Sequence, residues 1–138
     1  MLQSIAEHEE RQQSKAFGAA QRKLADSEAR LEELNLYRRE YEGSIASRSG
    51  SSAIHWQEHH RFLQRLDEAI ASQAAIVRDG RARREAHRRQ WTLKRQRLES
   101  LTRVVERLEA ADSRDAERLE QRESDECGNR LRPFGADA

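Results

Sequence analysis

The sequence predicts an all-α protein, a long antiparallel two-helix coiled-coil hairpin with a longer C-terminal helix. A heptad pattern runs unbroken from Trp56 to Leu119, and a shorter one precedes it from Phe17 to Ile45. Apolar residues at alternating spacings of three and four are the pattern of a coiled coil. Ala, Glu, Lys, Leu and Arg make up 76 of the 138 residues, which is the composition of long coiled-coil helices.

The first helix is expected at about residues 2–42. Its apolar side chains recur at the first and fourth heptad positions, which form the seam between paired helices. Arg38 and Ser27 are polar interruptions of this seam. The core residues expected on this helix are Phe17, Leu24, Leu31, Leu34 and Tyr41.

A turn is expected at residues 43–52, because this segment contains two glycines and five serines. Both residue types are common in turns. A serine also makes a good helix N-cap, since its hydroxyl accepts a bond from a free backbone N–H. We expect Ser51 or Ser52 to cap the second helix.

The second helix is expected at about residues 53–126. Eleven of its nineteen seam positions between Trp56 and Leu119 are apolar. Gly128 and Pro133 favour a helix stop, so residues 127–138 are expected to form a flexible tail and residues 1–126 a single hairpin. The core residues expected on this helix are Trp56, Leu63, Ile70, Val77 and Trp91.

Pairing the two seams gives a predicted register in which facing residue numbers sum to 97. Leu34 then faces Leu63, and Leu31 faces Leu66. This register leaves about 30 residues beyond Arg95 unpaired, a length of ~45 Å. An exposed apolar stripe on such a helix predicts a protein partner. The expected stripe consists of Leu98, Leu101, Val105, Leu108 and Leu119.

No catalytic constellation is present in the sequence, and Gly50-Ser-Ser lacks the lysine and spacing of a phosphate-binding loop. His55 and His59 share a helix face, but a closed metal site needs three or four ligands. The interpretation favoured for these histidines is a polar cluster at the mouth of the hairpin. The sequence therefore predicts a protein that is not an enzyme and has no metal or cofactor.

The sequence also predicts a cytoplasmic location. The longest wholly apolar run is Ala74–Val77, far short of the ~20 residues that cross a bilayer. The first residues lack a basic leader with an apolar stretch, so secretion is not expected. Cys127 is the single cysteine, which fits a reducing compartment.

Charge on the second helix is arranged in blocks. Nine basic residues stand against Asp79 and Glu85 between Arg78 and Arg97, and Glu99–Glu126 then carries ten acidic residues against five arginines. A basic helix is able to bind nucleic acid. However, no aromatic platform accompanies these arginines, and they point around the whole helix. A solvated coiled-coil surface that selects partners by charge is favoured, without nucleic acid.

Phe62 stands beside the seam residue Leu63 and one turn before Leu66. Two interpretations are open. Phe62 either covers the seam, or forms with Leu66 an apolar docking patch near the tip of the hairpin. Tyr37 lies off the seam at the same end of the hairpin.

The order of several motifs resembles the flagellar export protein family FliJ. These motifs span residues 1 to about 126, nearly the whole chain. They are Tyr37-Arg-Arg-Glu-Tyr41, the small-residue turn, Ser52-Ala-Ile-His-Trp56, Arg61-Phe-Leu-Gln-Arg-Leu-Asp-Glu-Ala-Ile70 and the acidic Glu120-Gln-Arg-Glu-Ser-Asp-Glu126.

The resemblance implies a stalk and adaptor of the flagellar type III export apparatus, cytoplasmic and peripheral at the cytoplasmic face of the inner membrane. It implies as partners the hexameric export ATPase FliI, its regulator FliH, the export gate protein FlhA and substrate chaperones. The gate contact of the family maps onto Phe62 and Leu66. The ATPase contact is expected at Leu98, Leu101, Val105 and Leu108.

Two alternatives remain open on the sequence. One is a plain coiled-coil tether that dimerises through the unpaired end, and the other is a basic helix that binds nucleic acid. A chain that is monomeric alone and joins a hexameric ATPase favours the stalk. A salt-sensitive gel shift on unrelated DNA favours the basic helix that binds nucleic acid.

Overall fold

The computed structural model describes residues 1–47 and 53–131, and the chain forms two helices. Helix α1 is Leu2–Ala46, with 45 residues, and helix α2 is Ala53–Leu131, with 79 residues. The two helices lie antiparallel along most of α1. Tyr41 contacts Phe62 at one end of the hairpin, and Glu9 contacts Lys94 at the other. The predicted all-α hairpin is confirmed.

The heptad seams form the interface between the helices. Ala6, Leu24, Leu66, Val77 and the polar Gln73 are buried. The seam residues Phe17, Leu31, Leu34, Tyr41, Leu63, Ile70 and Trp91 are half-buried. This pattern is expected of a two-stranded coiled coil, in which each seam residue is covered by one neighbouring helix and remains open at its sides. The core is therefore a narrow line of side chains.

Both helices continue past their predicted ends. Helix α1 runs through Gly43 to Ala46, and α2 runs through Cys127 and Gly128 to Leu131. Gly43 and Gly128 therefore do not stop their helices, since a glycine lowers helix propensity by only about 1 kcal/mol. Ile45 lies on the seam and is half-buried, which favours the extra turn of α1. Ser51 and Ser52, and the tail after Leu131, lie outside the described residues.

The predicted register is wrong by about one heptad. The Leu24 side chain lies against Gly80, and these residue numbers sum to 104 instead of 97. The Tyr41–Phe62 ring contact and the Glu9–Lys94 ion pair agree with the new register. The error has a physical origin: a slip of seven residues leaves every seam residue on the seam.

The new register corrects the assignment of Trp56 to the core. Its side chain is 66% exposed. The position that would face Trp56 is residue 48, which lies outside the described residues. Ile54, two residues nearer the start of α2, is also exposed. The described core therefore ends at His59 on this side of the hairpin.

At the other end, α1 covers more of α2 than predicted. The Gln3 amide donates a hydrogen bond to the Thr102 hydroxyl over 3.4 Å, and Ala6 is buried. Leu98 and Leu101 are accordingly half-buried instead of unpartnered. We call residues 103–131 of α2 the overhang; at 1.5 Å per residue, its length is ~44 Å.

Candidate partner-binding surfaces

An aromatic cluster lies near the turn end of the hairpin. The Phe62 ring contacts Tyr41 with 4.4 Å between ring centroids and lies edge-on to Tyr37 at 6.2 Å. The Tyr41 hydroxyl is hydrogen-bonded to Nδ1 of His59. Heptad spacing places Phe62 and Tyr37 on the same side of the seam, which explains their contact. Phe62 is half-buried and Tyr37 is half-exposed, so the cluster closes the seam and still presents an aromatic surface.

Phe62 and Leu66, the predicted docking pair, differ in exposure. Leu66 is only 8% exposed, because it is a seam residue facing α1. Phe62 covers the seam, as the first interpretation expects, and the docking interpretation stays a prediction in which a partner would reach the outer part of this cluster. Tyr37 is the residue of the aromatic cluster that faces solvent, and the sequence assigned it no role.

Trp91 organises the opposite half of the hairpin. Its ring stacks on Phe17 with 5.7 Å between centroids and an interplanar angle of 11°. Its indole Nε1 donates a hydrogen bond to Oε1 of Glu10 over 2.8 Å. The Arg95 guanidinium lies 5.3 Å from the ring centroid, within the range of a cation–π contact. Trp91 therefore places a large ring with a polar N–H group at a seam position where an aliphatic side chain is usual.

Ion pairs across the two helices support the register. Lys94 Nζ lies 2.8 Å from Oε2 of Glu9, and Arg38 pairs with Asp67. The hydrogen bond from Arg38 lowers the pKa of the Asp67 carboxyl below its ordinary value, and Lys94 does the same to the pKa of Glu9. All four groups contact solvent, so these pairs contribute little to stability.

The overhang presents an apolar stripe with no cover from the described part of α1. Leu108 is 61% exposed and Leu119 is 59% exposed, although both occupy seam positions. Val105 is half-buried, on the same stripe and next to the end of α1. A single helix with exposed leucines at seam positions is suited to bind another protein.

A shallow groove of about 480 Å³ follows one side of the seam near its middle. Small side chains leave this space open: Gly80 has no side chain, and a Cβ there would lie 3.2 Å from Leu24 Cδ1. The lining of the groove includes Ala16, Ala19, Lys23, Ile76, Asp79 and Arg83. The heptad pattern does not predict this groove, because the groove depends on the register.

The histidines near the turn take no part in a metal site that the structure defines. His59 is bonded to Tyr41. Within residues 1–47 and 53–131, no group of three or more possible ligands comes together. The same residues contain no helix with the length and apolarity to cross a membrane.

A two-helix rod with an aromatic cluster at one end and a single-helix overhang at the other is an antiparallel coiled-coil hairpin. Comparison with known proteins gives the family. The family model described as "Flagellar FliJ protein" matches residues 1–132. The chain is 26% identical over 131 residues to the flagellar FliJ protein of Escherichia coli (strain K12), covering 94% of this chain and 89% of that protein.

The flagellar FliJ protein of Salmonella typhi is 24% identical over the same length, with the same coverage. The chain belongs to the FliJ family of flagellar proteins. The resemblance that the motifs indicated is therefore confirmed.

Proposed function

We propose that this protein is a stalk and adaptor in the flagellar type III export apparatus. It links the hexameric export ATPase ring to the export gate and escorts substrate chaperones. Membership of the FliJ family supports the flagellar setting. The rod shape supports the role of a connector, because it carries separate surfaces at its two ends. The chain has no catalytic role in this assembly.

The overhang is the observation that carries the proposal. Leu108 and Leu119 lie on a seam that continues beyond α1, so the described chain leaves them exposed. A helix that emerges alone from a coiled coil is able to enter the centre of a protein ring. Val105 lies at the base of this stripe. Leu98 and Leu101, which are half-buried, support the base of the overhang in this proposal.

Binding to the purified hexameric ATPase tests this role. Leu108→Glu introduces a charge into an apolar contact, which costs free energy of desolvation. We expect the affinity for the ATPase to fall at least about tenfold, equivalent to ~1.4 kcal/mol. Isothermal titration calorimetry on the full chain measures the change.

Leu36→Glu is the matched control, since Leu36 is a half-exposed leucine on the outer face of α1. It should bind the ATPase as the wild-type chain does. Equal binding by the Leu108→Glu variant would refute the overhang as the ATPase site. Loss of binding in both variants would indicate a non-specific effect of charge.

The aromatic cluster is the proposed contact with the export gate. Phe62 offers the outer part of its ring beside the half-exposed Tyr37. Leu66 is buried and acts from beneath, by holding the cluster in place. Aromatic residues often supply most of the binding energy at interfaces. The gate would therefore meet the turn end of the rod while the ATPase ring holds the overhang.

The remaining partners follow from the family. A FliH-like regulator would join through the ATPase, and substrate chaperones would bind the rod. These partners place the protein in the cytoplasm, at the cytoplasmic face of the inner membrane, held there through the export apparatus. Co-purification of the ATPase and the gate with the full chain from a motile cell tests this placement.

A further inference from the structure

The two sides of the hairpin seam differ in chemistry. One side, which we call the open edge, contains the groove lined by Ala16, Ala19, Ile76 and Arg83. Whole-heptad steps from Ala16, Ala19 and Ile76 lead to the exposed residues Leu2, Ile5 and Val104, so these residues lie along the same edge. Two heptads from Asp79, which also lines the groove, lead to the exposed Leu93. Ile76, Leu93 and Val104 are 49% to 65% exposed.

The other side of the seam is polar. Ion pairs join the helices there, Arg81 with Glu28 and Arg38 with Asp67. Among the described residues, the large exposed hydrophobic side chains at positions that flank the seam all lie on the open edge. The open edge also carries charge, since Glu9, one heptad from Ala16, pairs there with Lys94. A coiled coil with exposed apolar side chains along one edge has room for a third helix there.

Charge indicates the kind of helix that would bind there. Between Arg78 and Arg97, α2 carries nine basic residues against two acidic ones. Residues Glu99–Glu126 carry ten acidic residues against five basic ones. The basic section borders the groove, and the acidic section coincides with the overhang. Opposite charges of this size attract two copies of the chain and orient them.

The lengths also match. From Ile76 to Val104, the second residue of the overhang, the open edge extends ~42 Å, and the overhang extends ~44 Å. An overhang that runs back along the open edge of another chain would therefore reach from the end of the hairpin to the groove. Its exposed Leu108 would meet the apolar residues of the edge. Both chains are able to do this at once about a twofold axis.

We propose that the open edge binds the overhang of a second copy of this chain, giving a reversible, reciprocal antiparallel dimer. The dimer does not depend on the proposed function. Its consequence does: the overhang that would enter the ATPase ring is covered in the dimer, so self-association and ATPase binding exclude each other. Apolar seam residues stay protected until the ring is available.

Sedimentation velocity of the full chain tests the dimer. In low salt, the wild-type chain should shift from monomer to dimer between about 1 µM and about 200 µM. Raising the salt to about 0.5 M should weaken the dimer, because charge attraction is screened. Leu93→Glu on the edge and Leu108→Glu on the overhang should each raise the dimer dissociation constant at least about tenfold.

The two variants should restore each other when mixed. The Leu93→Glu chain has an intact overhang, and the Leu108→Glu chain has an intact open edge, so the mixture can form one good contact. Leu36→Glu should dimerise as the wild type does. Circular dichroism melting of each variant shows whether its hairpin is folded.

A wild-type chain that stays monomeric throughout would overturn the proposal. So would a Leu93→Glu chain that dimerises normally, since that result indicates pairing of overhang with overhang. Binding to the ATPase separates this outcome from the proposed function. Leu93→Glu should keep ATPase binding, whereas Leu108→Glu should lose both interactions. If both variants lose dimerisation but bind the ATPase normally, the dimer proposal stands. Only the role of the overhang as the ATPase site is then refuted.

Discussion

At the residue scale, Phe62 contributes to folding and has a proposed second role in recognition. It lies beside the seam, where its ring contacts Tyr41 at 4.4 Å and Tyr37 at 6.2 Å. Aromatic pairs in these geometries contribute about 0.5–1.5 kcal/mol beyond the area they bury. The ring therefore stabilises the turn end of the hairpin, and its outer part remains available to a partner.

Phe62→Leu separates these two roles. Leucine keeps most of the apolar volume, so we expect the free energy of unfolding to fall by less than about 1.5 kcal/mol. The aromatic surface is lost, so the affinity for the purified export gate should fall at least about tenfold. Chemical denaturation measures the first quantity, and calorimetry the second.

Tyr41→Phe is the control, since it removes the hydroxyl bonded to His59 and keeps the ring against Phe62. It should bind the gate normally. If Phe62→Leu also binds normally, the cluster only closes the seam and the gate contact lies elsewhere.

At the scale of the helices, Leu24 and Gly80 fix the register. A Cβ built at Gly80 lies 3.9 Å from Leu24 Cβ, and disulfides join Cβ atoms ~3.5–4.5 Å apart. Replacing Leu24 and Gly80 by cysteine, with Cys127→Ser, should therefore give an intrachain disulfide under mild oxidation. Mobility on a non-reducing gel and mass after alkylation measure it.

The pair Phe17→Cys with Gly80→Cys corresponds to the register that the seam pattern alone predicts. It should link poorly, since Gly80 faces Leu24. Efficient linking of residues 17 and 80, with none between 24 and 80, would restore the predicted register.

The seam pattern predicted the two helices and their buried faces, because side-chain period decides which residues can meet a partner helix. It did not predict the register, since a slip of one heptad preserves that period. Contacts between particular side chains decide it, such as Leu24 on Gly80 and Gln73, whose amide donates to the Ser27 carbonyl over 3.0 Å. A buried polar residue of this kind is known to specify register in coiled coils.

The seam pattern likewise predicted only those parts of the candidate surfaces that do not depend on the register. Leu108 and Leu119 were correctly placed outside the hairpin, because any register near the predicted one leaves them beyond α1. Leu98 and Leu101 were not, since their cover depends on one heptad of overlap. The open edge was missed entirely, because residues that flank the seam form a surface only once both helices are aligned.

At the scale of the whole molecule, hairpin and overhang should differ in stability. The overhang has few buried side chains, and isolated helices in water are marginal. At low protein concentration, the wild-type chain should lose part of its helix signal gradually on heating, before the hairpin melts cooperatively. A chain truncated after Arg107 should lack the gradual phase and keep the cooperative melting temperature within a few degrees.

Circular dichroism at 222 nm follows both phases of this melting curve. A truncated chain that melts far earlier would show that the overhang stabilises the hairpin. In that case, its leucines would already have a partner within the same chain.

Helix α2 is continuous through both parts of the molecule, with 79 residues from Ala53 to Leu131. At 1.5 Å per residue it is ~120 Å long, and the helix continues without a break past Thr102, where its contact with α1 stops. The overhang therefore has no pivot of its own. A tilt of about 10° at a clamped overhang would swing the aromatic cluster sideways by more than ~10 Å, as a long lever does over this length. Small tilts of the overhang inside a ring would thus produce large displacements at the turn end of the rod.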